Sequence, residues 1–310
     1  MIWGRCMVAK IRQFRWDDAE QITGLFNTIN GIVGTEKEFS HELMSQTLAH
    51  PSCRPEVNCF VAESPGGQLV GYALASPEIP IGRTVASGGV LEEHRSSGIG
   101  RSLLGRISDH VENLGVAVFH IQASLDSQHA RRMLESEGFV HVKDYWQMRW
   151  EDGTLPAISL PNGYGLRTFE LDQDEAELTS IQNAAFGEHW GFNPNTVEEI
   201  AARVRMNSTD PDGIIFISNG GSLAGFNWTL RNENGNGSVG FVAMTGIHPN
   251  YRGKGLGTAV VVTGMEYLRK QGVDSIELEV DSTNTPAVEL YRKLGFKPVH
   301  HTVWYEKQIR

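Results

Sequence analysis

The run Arg252-Gly253-Lys254-Gly255-Leu256-Gly257-Thr258 places three glycines at alternate positions beside two cations. Glycines leave no side chains over the first turn of a following helix. The unpaired N–H groups of that turn can then close around a phosphate, and the helix dipole adds to the attraction. Arg252 and Lys254 bring positive charge to the same spot. The chemistry favoured here is the holding of a phosphorylated ligand. The surrounding elements must present this turn. A strand, Val239–Ile247, runs into His248-Pro249-Asn250, and a helix follows from Thr258 to Lys270, stopped at Gly272. A second strand, Ser275–Val280, alternates Ile276, Leu278 and Val280 with Glu277, Glu279 and Asp281. Asn284-Thr285-Pro286 reads as a helix cap with proline in the first turn. The short helix carries Tyr291 and ends at Gly295-Phe296.

Strand, phosphate-holding turn, helix, strand, capped short helix with Tyr: this order resembles the GNAT superfamily of acyl-CoA-dependent N-acyltransferases. The motif is Arg252-x-x-Gly255-x-Gly257 followed by Asn284…Leu290-Tyr291…Leu294-Gly295-Phe296. The first part alone is weak; its coupling to the second at this distance is specific. The resemblance implies an α/β (α+β) fold with a mixed, mostly antiparallel sheet flanked by helices. Two central parallel strands splay apart, and the pantetheine of acetyl-CoA lies in the gap. By the same resemblance the backbone of Thr245, Gly246 and Ile247 binds the pantetheine and offers an oxyanion donor. Residues Arg252 to Thr258 hold the pyrophosphate, and Asn284 belongs to the cofactor set. Acetyl-CoA is then the expected co-substrate, and the expected acceptor is a primary amine of a small molecule; the acidic balance of the chain also suits a cationic one.

Acyl transfer from a thioester to an amine also needs an acid and a base. Tyr291 is the candidate acid: a free phenol has a pKa of about 10 and a free thiol about 8.5, so a neutral Tyr can donate to the departing thiolate. The base stays open between Glu279, its neighbour of the same parity Glu277, and His189, which lies where this fold builds its acceptor pocket. Each also fits a plain structural role, as a strand carboxylate or a packed loop residue. There is a departure. The mycothiol-synthase-like branch carries a Glu on the first central strand, and Phe241 stands at the nearest position here.

The first half repeats the plan. Strands are expected at Ala9–Phe14, Cys59–Glu63, Leu69–Ser76, Thr84–Leu91, Val116–Ala123 and Val140–Trp150, and helices at Trp16–Asn30, Phe39–His50 and His129–Glu137. A further helix opens after His94-Arg95-Ser96-Ser97-Gly98-Ile99-Gly100 and ends at Gly115. The register is free of gaps: 252 − 95 = 255 − 98 = 295 − 138 = 157. Gly71 and Gly225 differ by 154, which puts about three extra residues in the hairpin Arg231–Ser238. Gly88, Gly89, Val90, Arg95, Gly98, Ile99 and Gly100 are therefore a second set of cofactor candidates. The same register sets Leu134 at Tyr291 and Ser127 at Asn284, so the first half keeps the phosphate turn and lacks the acid. The expected domains are 1–150, without fast chemistry, and 163–310, catalytic, joined by a linker at 151–162. The tandem layout resembles the mycothiol-synthase-like branch, as does Ala185-Phe186-Gly187-Glu188-His189-Trp190-Gly191.

The chain has 310 residues, enough for two cores, and a formal charge of −10. That charge argues against nucleic-acid and anionic-membrane partners. Cys6, Cys53 and Cys59 lack metal-ligand spacing and read as reduced thiols, and no metal is expected. The N-terminus lacks an apolar core of the kind a leader needs, and no apolar run reaches membrane length. A cytoplasmic protein is expected. Two other readings compete: acetylation of a peptide or protein amine, and a CoA-binding regulatory protein without turnover.

Overall fold

The computed structural model describes residues 9–32, 38–151, 153–232 and 238–309. Cys6 and residues 233–237 of the Asn/Gly-rich hairpin lie outside them. The described residues form two compact units, which divide at Lys143/Asp144 and again at His301/Thr302. The sequence reading divides the chain at 151–162 instead. The difference lies in the last strand of each half.

The first unit contains β1 (Lys10–Gln13), α1 (Ala19–Ile32), α2 (His41–Leu48), α3 (Pro55–Asn58), β2 (Cys59–Glu63), β3 (Leu69–Glu78), β4 (Arg83–Val90), α4 (Ile99–Glu112), β5 (Val118–Ser124) and α5 (Gln128–Ser136). Strand β6 (Val140–Trp150) begins there and continues into the second unit. The second unit contains β7 (Tyr164–Thr168), α6 (Glu175–Phe186), α7 (Val197–Val204), β8 (Ile214–Asn219), β9 (Ser222–Asn232), β10 (Val239–Ile247), α8 (Leu256–Lys270), β11 (Ser275–Asp281) and α9 (Thr285–Lys293). Strand β12 (Lys297–Gln308) begins there and ends in the first unit.

Each unit is thus completed by a strand from the other half of the sequence. In the first, Thr302–Gln308 pairs antiparallel with β5. In the second, Tyr145–Trp150 pairs antiparallel with β11. Within each sheet one neighbouring pair is parallel, β4 with β5 and β10 with β11, and the others are antiparallel. A parallel neighbour requires a crossover, which α4 and α8 supply.

Helices cover both faces of each sheet. In the second unit α8 and α9 bury Leu256, Val260 and Val288 against Val242, Ile276, Leu278 and Val280. On the other face α6 and α7 bury Leu178, Ile181 and Ile200 against Phe216, Phe226 and Trp228. The first unit repeats both layers, α4 with α5 and α1 with α2. Cys53 and Cys59 sit in its core as free thiols, and burial raises both pKa values, Cys53 to about 11. No helix of the described residues is long and apolar enough to cross a membrane.

Candidate functional site

The parallel ladder of the second unit is short. Val239, Gly240 and Phe241 face Ser275, Ile276 and Glu277, and pairing stops there. Beyond that point β10 pairs with β9 and β11 pairs with β6. The two strands splay, and their facing edges keep backbone groups that no strand satisfies. A register shift between Val242 and Met244 sharpens the departure of β10 and leaves Ala243 exposed. Thr245, Gly246 and Ile247 line the upper part of this edge. Gly246 is required by packing: a Cβ there would stand 2.7 Å from the Cβ of Ala185 on α6.

The turn above β10 leads into α8. Gly253 and Gly255 take φ of +78° and +76°, and Gly255 is the N-cap. These left-handed residues aim successive N–H groups to one side, toward the start of α8. Leu256 is buried in the core, whereas Gly253, Lys254, Gly255 and Thr258 are exposed. The first turn of α8 also adjoins α9, since a Cβ on Gly257 would meet Leu290 at 3.8 Å. Arg252 also has a structural role. Its guanidinium donates to Ala185 O at 2.9 Å, Ile247 O at 3.3 Å and Glu188 Oε2 at 2.9 Å. It ties the turn to β10 and α6 while its side chain stays 42% exposed. Asn284 accepts from Ala287 N and caps α9.

Tyr291 packs its ring edge-to-face on Phe296, with centroids 5.8 Å apart. The residue is 7 % exposed, and burial raises its pKa to about 12, so the phenol is neutral. Its hydroxyl has no hydrogen-bond partner among the described residues and is not among the atoms sealed from solvent.

The three candidate bases separate. Glu277 is fully buried, with Arg149 Nη2 at 2.6 Å, Arg149 Nε at 2.8 Å and Gln147 Nε2 at 2.5 Å. Its acceptor capacity is taken up in a structural ion pair, which removes it as a base. Replacing Glu277 by Gln leaves the Arg149 charge without its carboxylate, and a stability loss of about 3–5 kcal/mol is expected. A urea midpoint close to wild type would contradict that. Glu279 shares the face but is exposed. His189 follows α6, with its ring edge-to-face on Phe186 at 4.9 Å. Burial and then Arg252 lower its pKa from 6.5, while Asp281 and Glu188 oppose them. His301, which lacks a partner in sequence, bonds Asp144 at 2.7 Å.

The first unit keeps part of this design. Its parallel ladder spans four pairs, Arg83–Ala86 with Val118–Ile121. Gly98 caps α4 at φ +86°, and Ser96 holds φ +58° where the second unit has Gly253. Arg95 Nε donates to Val90 O at 3.2 Å, as Arg252 does to Ile247 O. Gly100 and Ile99 open the helix as expected. Two things are missing. Strands β3 and β4 pair from Glu78–Arg83 to Gly71–Val90 without a register shift, and Gly88 lies flush on β3, where a Cβ would meet Tyr72 O at 2.4 Å. Leu134 is buried where Tyr291 would be. Beside Gly89 stands the larger Ile29, where Ala185 stands beside Gly246.

Known proteins share this layout. Family models match twice: the acetyltransferase (GNAT) family over residues 176–296 and the acetyltransferase (GNAT) domain over 55–141. A mycothiol acetyltransferase of Thermobispora bispora is 35% identical over 236 residues, covering 74% of this chain and 77% of that protein. The chain belongs to the GNAT acetyltransferase family. A second mycothiol acetyltransferase, from Saccharomonospora viridis, is 33% identical over 256 residues and covers 80% of this chain and 82% of its own. Among solved structures, a GCN5-related N-acetyltransferase from Sphaerobacter thermophilus aligns with a TM-score of 0.77 at 23% identity, covering 97% and 96% of the two chains. A tandem GNAT protein from the clavulanic acid biosynthesis pathway aligns at 0.76 and 19%, covering 97% and 99%. At these identities the structures bear on the fold, which is two GNAT domains in tandem. As a GNAT member the protein is an N-acetyltransferase that takes its acetyl group from acetyl-CoA.

Proposed function

We propose that this GNAT enzyme acetylates the primary amine of a small molecule, and that the second unit carries the chemistry. The observation that supports this is the open fork of β10 and β11, bulged after Val242, with a left-handed glycine turn above it and, in the same unit, a Tyr291 hydroxyl that bonds no described residue. In this reading the backbone of Thr245–Ile247 binds the pantetheine, and the N–H groups from Gly253 to Thr258 hold the diphosphate. The amine lone pair attacks the thioester carbonyl carbon, and a β10 N–H faces the oxygen that gains charge. The C–S bond breaks, and sulfur takes its proton or hydrogen bond from Tyr291.

His189 is the proposed acceptor of the amine proton. Its lowered pKa keeps it neutral at pH 7 and ready to take a proton. The acid limb of kcat/KM is therefore expected below pH 6.5, and His189→Gln should remove that limb. An acid limb of unchanged position in the variant would take His189 out of the mechanism and leave Glu279 as the candidate. Phe241 supports an acceptor or proton route unlike that of mycothiol-synthase-like enzymes with a Glu on this strand. The deciding experiment is acetyl-CoA consumption across a panel of small-molecule amines, including the mycothiol-type amine that the relatives' names suggest. Turnover confined to peptide amines, or CoA binding without turnover on any amine, would overturn the reading.

A further inference from the structure

We infer that Lys254, held in place by Tyr164, recognises the 3′-phosphate of coenzyme A. The inference rests on the reading that the Gly253–Thr258 turn holds the diphosphate of acetyl-CoA. Lys254 lies between the two left-handed glycines and is exposed. Its ammonium is nevertheless parked. Nζ donates to Tyr164 Oη at 3.3 Å and stands 5.2 Å from the centre of the Tyr251 ring and 6.0 Å from that of Tyr164. The two phenol rings meet edge-to-face at 6.3 Å, and His248 supports Tyr251 at 5.8 Å. Tyr164 comes from β7, 90 residues earlier in the chain.

A surface lysine ordinarily keeps its side-chain freedom and finds a carboxylate or water. Here, among the described residues, no carboxylate forms an ion pair with Lys254. Aromatic faces hold a cation by their quadrupole without neutralising it. The ammonium spends one N–H on Tyr164 and keeps two, and the Tyr164 hydroxyl accepts that bond and keeps its own O–H to donate. Two donors side by side, one of them charged, suit a phosphate. The diphosphate is served by the backbone N–H groups of the turn and of the α8 start. Tyr164 belongs to a different strand, so its pair with Lys254 lies outside that backbone set. In CoA the ribose carries the diphosphate on its 5′ carbon and a further phosphate on its 3′ carbon, so a second anion follows the first within one sugar.

The first unit shows what the turn looks like without this feature. The 157-residue register sets Ser97 at Lys254, His94 at Tyr251 and Leu91 at His248, while Gly98 keeps the left-handed cap. The aromatic support is therefore not needed to shape the turn.

The test is calorimetric binding of CoA and of 3′-dephospho-CoA to the full-length protein. The wild type is expected to bind CoA about 10-fold tighter or more, the scale of a charge-assisted bond. Lys254→Gln should bring CoA down to the dephospho level and leave dephospho-CoA unchanged. Lys254→Arg should retain a preference, and Tyr164→Phe should reduce it part-way. A wild type indifferent to the 3′-phosphate, or a Lys254→Gln variant with the wild-type ratio, would overturn the inference. Gly255→Val separates the two levels of the argument. If it weakens both ligands while Lys254→Gln leaves their ratio intact, only the 3′-phosphate inference falls. If it weakens neither, the diphosphate reading falls as well.

Discussion

Valine at position 255 is expected to abolish acetyl-CoA binding and turnover, while valine at position 98 leaves most turnover intact. Both glycines are N-caps with positive φ, +76° and +86°. A Cβ at either would meet nothing within 4 Å, so the effect is one of backbone conformation and not of bulk. An L-residue in this region costs roughly 1–2 kcal/mol, and a β-branched one is disfavoured further. That is too little to unfold the protein, but enough to pull the turn out of the shape that converges its N–H groups. Losing two charge-assisted bonds of about 1.5–3 kcal/mol each would weaken binding by about 10²–10⁴-fold or more. The contrast between the two variants follows from what surrounds them. Near Gly98 there is Leu134 in place of Tyr291, and β4 lacks the register shift of β10. Circular dichroism should show both variants folded. Equal loss of turnover in two folded variants would mean that the halves share the chemistry.

The tandem repeat was legible because glycine and arginine spacing is a local signal, and the structure extends it into places where residue types alone are mute. Asn27 clamps Phe39 by two backbone bonds, and Asn183 clamps Asn195 in the same way, at an offset of 156. Thr23 and Thr179 bond back to the carbonyl four residues earlier. Asp18 with Arg12 and Asp174 with Arg167 pin the entry to the first helix of each half. The units' boundaries were not legible, because alternation says that a strand exists and which face it buries, but not which edge it joins. Glu277 illustrates the same limit. Its parity sets it opposite an apolar face, which reads as solvent, whereas its partner Arg149 lies 128 residues earlier. The motif arginine shows a related limit: its position implies a phosphate cation, and only the fold shows that its guanidinium also holds two carbonyl oxygens and one carboxylate. Tyr164 carries no motif at all, and only the fold brings it to Lys254.

Tyr291→Phe is expected to slow the chemical step by about 10²–10⁴-fold, the usual worth of a positioned acid. The substitution removes one hydroxyl and keeps the ring. The edge-to-face contact with Phe296 and the burial of the ring in the α8–α9 core remain, so the melting temperature should barely move. Because the hydroxyl bonds no described residue, its loss leaves no described group without a partner. A structural tyrosine would therefore tolerate the change with nearly normal turnover, and the two roles predict different outcomes. Burial raises the phenol to about 12, so it is a weaker acid than a free phenol and remains protonated across the working pH range. Such a group serves best as a hydrogen-bond donor to the developing thiolate, with the thiol proton arriving in the same event or from solvent afterwards. Acetyl-CoA affinity should change little, since the demand for the donor arises only as the C–S bond breaks. The measurement is a single-turnover rate at saturating acetyl-CoA with an amine that the enzyme accepts, because product release can mask the chemical step in kcat. A rate within about threefold of wild type lies outside the range of general-acid effects. Thiolate departure would then depend on the backbone donors of β10 and on the positioning of the two substrates in the fork.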